Sequence, residues 1–141
     1  MVAYSFKKRF GPPILAGTKA QTIRADRKRH ARPGEELQLF TGMRTRSCTL
    51  LGRPTCLSVM PVRLCFSKRA ATELFEVGGE LLSPSAMETF AQADGFEDVE
   101  DMARFWWAEH PPGEGDHIAF EGVLIRWQPL VAAGAAAGAA A

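Results

Sequence analysis

The chain has 141 residues, 46% of them hydrophobic, which suits one compact domain burying roughly two thirds of its unfolded surface. The uncharged run from Gln128 to Ala141 is too short and too weakly apolar to span a bilayer, and the first residues carry no apolar signal segment, so no membrane contact and a cytoplasmic location are expected. Net charge is only +1, yet residues 1 to 69 hold fifteen Lys and Arg against three acids, and the remainder two against thirteen. A split of +12 and −11 predicts either a basic surface for a polyanion or two halves that neutralise each other across the fold.

In chain order, VAYSFKKRF (residues 2 to 10) alternates as a strand and ends at Gly11-Pro12-Pro13. Prolines are tolerated at a helix start, where their missing N–H would find no partner, so Pro12 to Ala16 predicts one helical turn stopped by Gly17. AQTIR follows as a strand, and GEELQLFTG sets Leu37 and Leu39 on one face. RSCTLLGRPTCLSVMPVRLCF reads as two strands broken at Gly52-Arg53-Pro54, with a further stretch after Pro61. Cys48, Cys56 and Cys65 fall around these strands with no histidine at zinc-site spacing, which predicts reduced core thiols and no metal.

Ser83-Pro84 and Ser85 with Glu88 are overlapping helix-start signals; Met87, Phe90 and Ala91 form the apolar stripe and Gly95 the stop. A second helix opens at Asp98 and repeats Val99, Met102, Phe105 and Trp106 at helical spacing until Pro111. Trp106 and Trp107 face different ways, so at most one could stack on a base, and core packing is the plainer role for Trp106. HIAFEGVLIRWQPL is the clearest strand, interrupted at Gly122 as if by a bulge. Strands with two to three short helices predict an α+β domain over residues 1 to 130, with a mixed sheet that is strongly curled or closed into a barrel. Residues 131 to 141 read as a low-complexity Ala/Gly tail.

Two stretches carry chemistry. RADRKRHARPG (residues 24 to 34) is a loop in which Arg24, Arg27, Lys28, Arg29 and Arg32 meet one Asp26, a pattern that suits phosphates. In ILAGTKAQTIR (residues 14 to 24), Thr22 and Arg24 are two apart and share a strand face, whereas Lys19 must lie in the turn after Gly17 and swing its ammonium over the sheet toward Thr22. A cation, a hydroxyl and a guanidinium then surround one small volume at a barrel mouth. The plainer alternative is two solvated surface charges beside an ordinary β-branched strand residue. No Gly-rich phosphate loop, HExxH pair or GxSxG elbow is present, and no cofactor is implied.

ILAGTKAQTIR, RPGEELQLFTG, DGFEDVEDMARFW and FEGVLIRW together resemble the ASCH family, over most of residues 4 to 127. That resemblance implies a PUA-like fold and an RNA-binding or nucleoside-handling role; one small bacterial branch hydrolyses the amide of N4-acetylcytidine, and another member is a ribonuclease. In the amidohydrolase branch a lysine, a threonine and a glutamate act together. Lys19 and Thr22 match the first two, and Asp94 stands where that branch has glutamate, with Glu97 and Asp98 as alternatives. Asp94 also sits at the predicted C-terminus of the helix stopped by Gly95, where the dipole is expected to raise its pKa and suit it to proton transfer.

The mechanism expected from this resemblance makes Thr22 the nucleophile, Lys19 its base, Asp94 the acid for the leaving nitrogen, and Arg24 a stabiliser of the oxyanion or a holder of a phosphate or base edge. Two alternatives stay open. One is a non-catalytic RNA-binding module; the other is a ribonuclease using His30, His110 or His117, although each of these has a plain structural reading as a loop, helix-end or strand-start residue. The expected partner in every case is a modified nucleoside or RNA.

Overall fold

The computed structural model describes residues 1–27, 29–67, 73–110 and 115–131. Lys28, Pro111 and the tail from residue 132 onward, to which expectations were attached above, lie outside them. The described residues form an α+β fold with three α-helices and two sheets.

The N-terminal strand β1 (Val2–Phe6) alternates buried and half-buried residues and stops four residues earlier than its sequence suggests. Lys7, Lys8 and Arg9 cannot continue an inward face, and Phe10 N–H closes a 3₁₀ turn on the Lys7 carbonyl at 3.0 Å. Helix α1 (Gly11–Ala16) follows with its prolines in the first turn, and Gly17 stops it in the left-handed region at φ +81°. Strand β2 (Gln21–Ala25) then crosses to the other sheet. β3 (Leu37–Thr41) lies parallel to β1 and antiparallel to β4 (Thr49–Gly52), giving a three-stranded sheet with Leu37 and Leu39 fully buried.

The larger sheet has the order β2-β8-β5-β6-β7 and centres on two long strands, β5 (Cys56–Ser67) and β8 (His117–Trp127). Two expected interruptions are absent. β5 runs straight through Pro61: its carbonyl accepts from Gly78 N–H at 2.9 Å, so its nitrogen faces the side where the neighbouring strand has already turned away, and no ladder bond is lost. β8 pairs with β5 in register through Gly122, and the irregularity lies instead between Cys56 and Ser58. Gly122 is there for close approach, since a Cβ would fall 2.3 Å from the Arg24 carbonyl oxygen.

The hairpin β6 (Leu74–Val77) and β7 (Glu80–Leu81) escaped the sequence reading, although Gly78-Gly79, at φ +59° and +86°, is a strong two-residue hairpin signal. Helix α2 (Pro84–Ala93) is capped by Ser83, whose Oγ accepts from Ala86 N–H. Glu88 does not complete a capping box; it reaches the next helix and accepts from Val99 N–H at 3.2 Å. Helix α3 (Val99–Glu109) is capped by Asp98, as its sequence predicts.

The helices pack on the larger sheet through a row of rings. Phe66 meets Phe75 at 5.5 Å and Trp106 at 5.7 Å, and Phe75 meets Phe90 at 5.6 Å. Burial of such a side chain stabilises by about 1.5–3 kcal/mol, so this row fixes where the α2–α3 connection lies. Of the cysteines, only Cys56 is buried; Cys65 is half-buried and Cys48 exposed, which corrects the expectation of three core thiols. Among the described residues no helix is long and apolar enough to cross a membrane, and no cluster of metal-ligating side chains occurs.

The two sheets approach each other at two corners. At one, Glu36 and Thr55 form a β-bridge, flanked by Leu37 N–H to the Pro54 carbonyl and Cys56 N–H to the Glu35 carbonyl, both at 2.8 Å. At the other, edge strands β1 and β2 are joined by a side chain, Arg24 Nη2 donating to the Ser5 carbonyl at 2.7 Å. Beside this second corner lies a cavity.

Candidate active site

The cavity holds about 310 Å³ between β1, β2 and the α2–α3 connection. Lys19, Thr22, Arg24 and Asp94 all line it, with Phe6, Phe10, Phe96, Phe105, Trp106 and Phe120 as apolar walls. Lys19 lies in the turn after Gly17, its N–H bonded to the Pro13 carbonyl at 3.0 Å, and the residue is only 2% exposed.

Lys19 Nζ donates to the Asp94 carbonyl at 2.5 Å and stands 3.5 Å from Asp94 Oδ1. It also lies over the Phe10 ring, 4.8 Å from the centroid. The expected swing toward Thr22 is therefore not the arrangement found: a buried cation takes the carboxylate and carbonyl in reach before a neutral hydroxyl. Thr22 is held instead by its strand neighbour, Arg24 Nε donating to Thr22 Oγ1 at 3.0 Å. Thr22 and Arg24 share a face, as their spacing in the strand predicts.

Asp94 is the C-cap of α2, just past its last helical residue, and is 5% exposed. Its Oδ1 accepts from Gln21 Nε2 at 3.2 Å, and Gln21 is itself buried. Gly95 takes φ +98°, and a Cβ there would lie 2.8 Å from Lys19 Cδ and 3.0 Å from the Phe10 ring. Of the acids considered, Asp98 is committed to capping α3, and the exposed Glu97 uses its backbone N–H on Asp101.

Burial drives the electrostatics. Desolvation pulls the Lys19 pKa down, opposed by Asp94 and assisted by Arg24, and it pushes the Asp94 pKa up, opposed by Lys19 and Gln21. The rise in Asp94 thus comes from burial first, rather than from the helix dipole to which its position pointed. Both members of the pair are biased toward their neutral forms. The proton can sit on either without changing the total charge, so the pair can present an amine and a carboxylic acid side by side.

The remaining basic residues separate. Arg27 lies over the Tyr4 ring at 4.8 Å, Arg29 is ion-paired with Glu35, and Arg32 is exposed with its backbone N–H on Glu35 Oε1 at 3.1 Å. His30 bridges the Tyr4 hydroxyl and the Ala25 carbonyl, and His117 is exposed beside Asp116; among the described histidines only His110 lines the cavity, stacked on Trp106 at 4.4 Å. Trp106 is core, 5% exposed, with one edge on the cavity.

The charge halves partly neutralise each other through Lys7–Glu109, Arg9–Asp101, Lys19–Asp94 and Arg63 with Glu76 and Glu121. Gln21 and the ring of phenylalanines were not legible as site residues, because nothing local marks a glutamine or a phenylalanine that meets its partner only after folding. No protein-family model, curated protein or solved structure matches this chain.

Proposed function

We propose that the chain is a hydrolase of the ASCH family that cleaves the amide of N4-acetylcytidine-type modified cytidines. One observation carries the reading: Lys19 and Asp94, 75 residues apart in sequence, are buried against each other in the same cavity that Thr22 and Arg24 line. The aromatic walls favour a planar heterocycle, and a cavity of about 310 Å³ is at the small end of the range for ligand sites. We read the two sheets as a PUA-like, strongly curled barrel, a reading supported by their approach at the Glu36–Thr55 bridge and at Arg24–Ser5.

In the proposed reaction Thr22 Oγ attacks the acetyl carbonyl carbon, and its proton passes to the neutral Lys19 amine, which has to turn from the Asp94 carbonyl toward Thr22 when substrate is bound. Arg24, already donating to Thr22 Oγ1, favours the developing negative charge. The C–N4 bond breaks, and N4 takes the proton of the Asp94 carboxylic acid, releasing cytidine and leaving acetyl on Thr22 as an ester. Water then cleaves the ester: one of its protons restores the Thr22 hydroxyl, the other leaves to solvent with acetate, and the single proton on the Lys19–Asp94 pair shifts from Lys19 back to Asp94. Aspartate in place of the longer glutamate still meets the lysine, because Gly95 lets the chain of Lys19 pass directly beneath it.

The test is chromatographic: purified protein and N4-acetylcytidine are incubated with Thr22→Ala as control. Cytidine that appears with the parent chain and not with the folded variant supports the reading; no product, or equal product from both, overturns it. Binding of RNA without cleavage is the second reading, favoured by the exposed Arg27 and Arg32. Cleavage of a plain oligonucleotide lost on His110→Ala would instead support the ribonuclease reading, since His110 is the histidine on the cavity.

A further inference from the structure

A second cavity, of about 360 Å³, adjoins the first through Ser5 and Arg24, which line both. Tyr4, Arg27, Met43 and Arg44 complete its principal lining, so three arginines line it and no acidic residue does. The arginines are not loose surface charges. Arg24 and Arg27 stand over the same Tyr4 ring, at 5.3 and 4.8 Å from its centroid, and Arg27 Nε is anchored on the Arg29 carbonyl at 2.8 Å. Arg44 is the one non-glycine among the described residues with positive φ, at +68°, a conformation that is uncommon for a long side chain and recurs where function over-determines the backbone.

Elsewhere in the first half Lys7, Arg9, Lys19, Arg29, Arg53 and Arg63 each have a carboxylate partner. Here like charges are gathered around a concave volume with none in its lining, an arrangement that repels itself unless an anion enters. A tetrahedral phosphate, with several acceptor oxygens, matches converging guanidinium groups better than a planar carboxylate or a halide does.

We propose that this second cavity is a phosphate subsite, and that the cytidine bound in the first carries a phosphate group on its ribose, making the substrate a nucleotide or RNA rather than a free nucleoside. The identity of the base rests on the function proposed above; the subsite does not. Arg24 is the shared wall: its Nε donates to the Thr22 hydroxyl and its Nη2 to the carbonyl of Ser5, which also lines both cavities, so a single residue would set the distance between the reacting group and the recognition group.

Calorimetric titration with cytidine, cytidine 5′-monophosphate and cytidine 3′-monophosphate tests this without any turnover. One monophosphate is expected to bind at least about tenfold more tightly than cytidine, with the advantage shrinking as salt is raised. Arg27→Gln and Arg44→Asn, the latter chosen because asparagine tolerates the left-handed backbone, are each expected to cut that advantage by about threefold or more, and together to erase it. Equal affinity for nucleoside and both monophosphates overturns the proposal, as does an advantage that survives the double substitution in a folded protein. A short cytidine-containing oligonucleotide that outcompetes both monophosphates would assign the phosphate to a diester and so to RNA. If the monophosphate advantage holds but no N4-acetylated substrate is cleaved, the subsite stands and the hydrolase reading falls.

Discussion

The two walls that meet at Arg24 handle charge in opposite ways. On the inner wall Lys19 and Asp94 are almost wholly buried, and each is answered by the other. On the outer wall Arg27 and Arg44 are exposed and face a cavity with no acid in its lining. Burial penalises charge until a pair drifts toward neutrality, which is the condition for moving a proton; exposure leaves a guanidinium fully charged, which is the condition for holding an anion. The difference between the walls is thus a difference in what each can do, and both follow from depth.

The largest expected effect comes from breaking the inner wall. Lys19→Met leaves Asp94 buried without its cation; it should abolish hydrolysis and cost about 3–5 kcal/mol by denaturant unfolding, whereas Lys19→Met with Asp94→Asn should cost less than the two single changes summed. Next, Thr22→Ala should lower kcat/KM by about 10³-fold or more while costing only about 1 kcal/mol of stability, the worth of the Arg24 hydrogen bond.

The third expectation concerns pH. In the proposed reaction the Lys19–Asp94 pair carries one proton, so the rate should be bell-shaped: lost as pH falls and Asp94 and Lys19 are both protonated, and lost again as pH rises and the last proton leaves. Asp94 raises the Lys19 pKa, so in Asp94→Asn the Lys19 amine should become free at lower pH, and whatever activity survives should rise with pH through that point and lack the basic-side fall. The smallest effect belongs to the rim, where Lys7→Met, removing an exposed pair with Glu109, should change stability by no more than about 1 kcal/mol.

What the chain discloses before folding divides along similar lines. Lys19, Thr22 and Arg24 lie within six residues, so strand periodicity and the stop at Gly17 suffice to gather them. The caps of α2 and α3 and the stop at Gly95 were legible for the same reason, since each is written within one helical turn. Where Lys19 points was not legible, because its partner arrives from the end of α2, and a turn residue with a long side chain has no preferred direction until something buries it. Pro61 and Gly122 were misread because local rules assign them to breaks, while their tolerance depends on which neighbour each residue faces. Arg44 could not be tied to Arg24 and Arg27 by sequence at all; the loop that carries it meets them only at the seam between the sheets.

Gly95 has no side chain, yet the shape of the site depends on that. The space a methyl group would fill is the channel through which the hydrocarbon part of Lys19 reaches the acid, and the left-handed turn at φ +98° resists any replacement. A chain that kept Lys19, Thr22 and Asp94 but carried alanine at 95 would have to shift the Lys19 stem and the Phe10 ring to keep the buried pair together. In comparing or redesigning such chains, this empty position therefore carries as much weight as the polar side chains around it, because it is the mould in which they are cast.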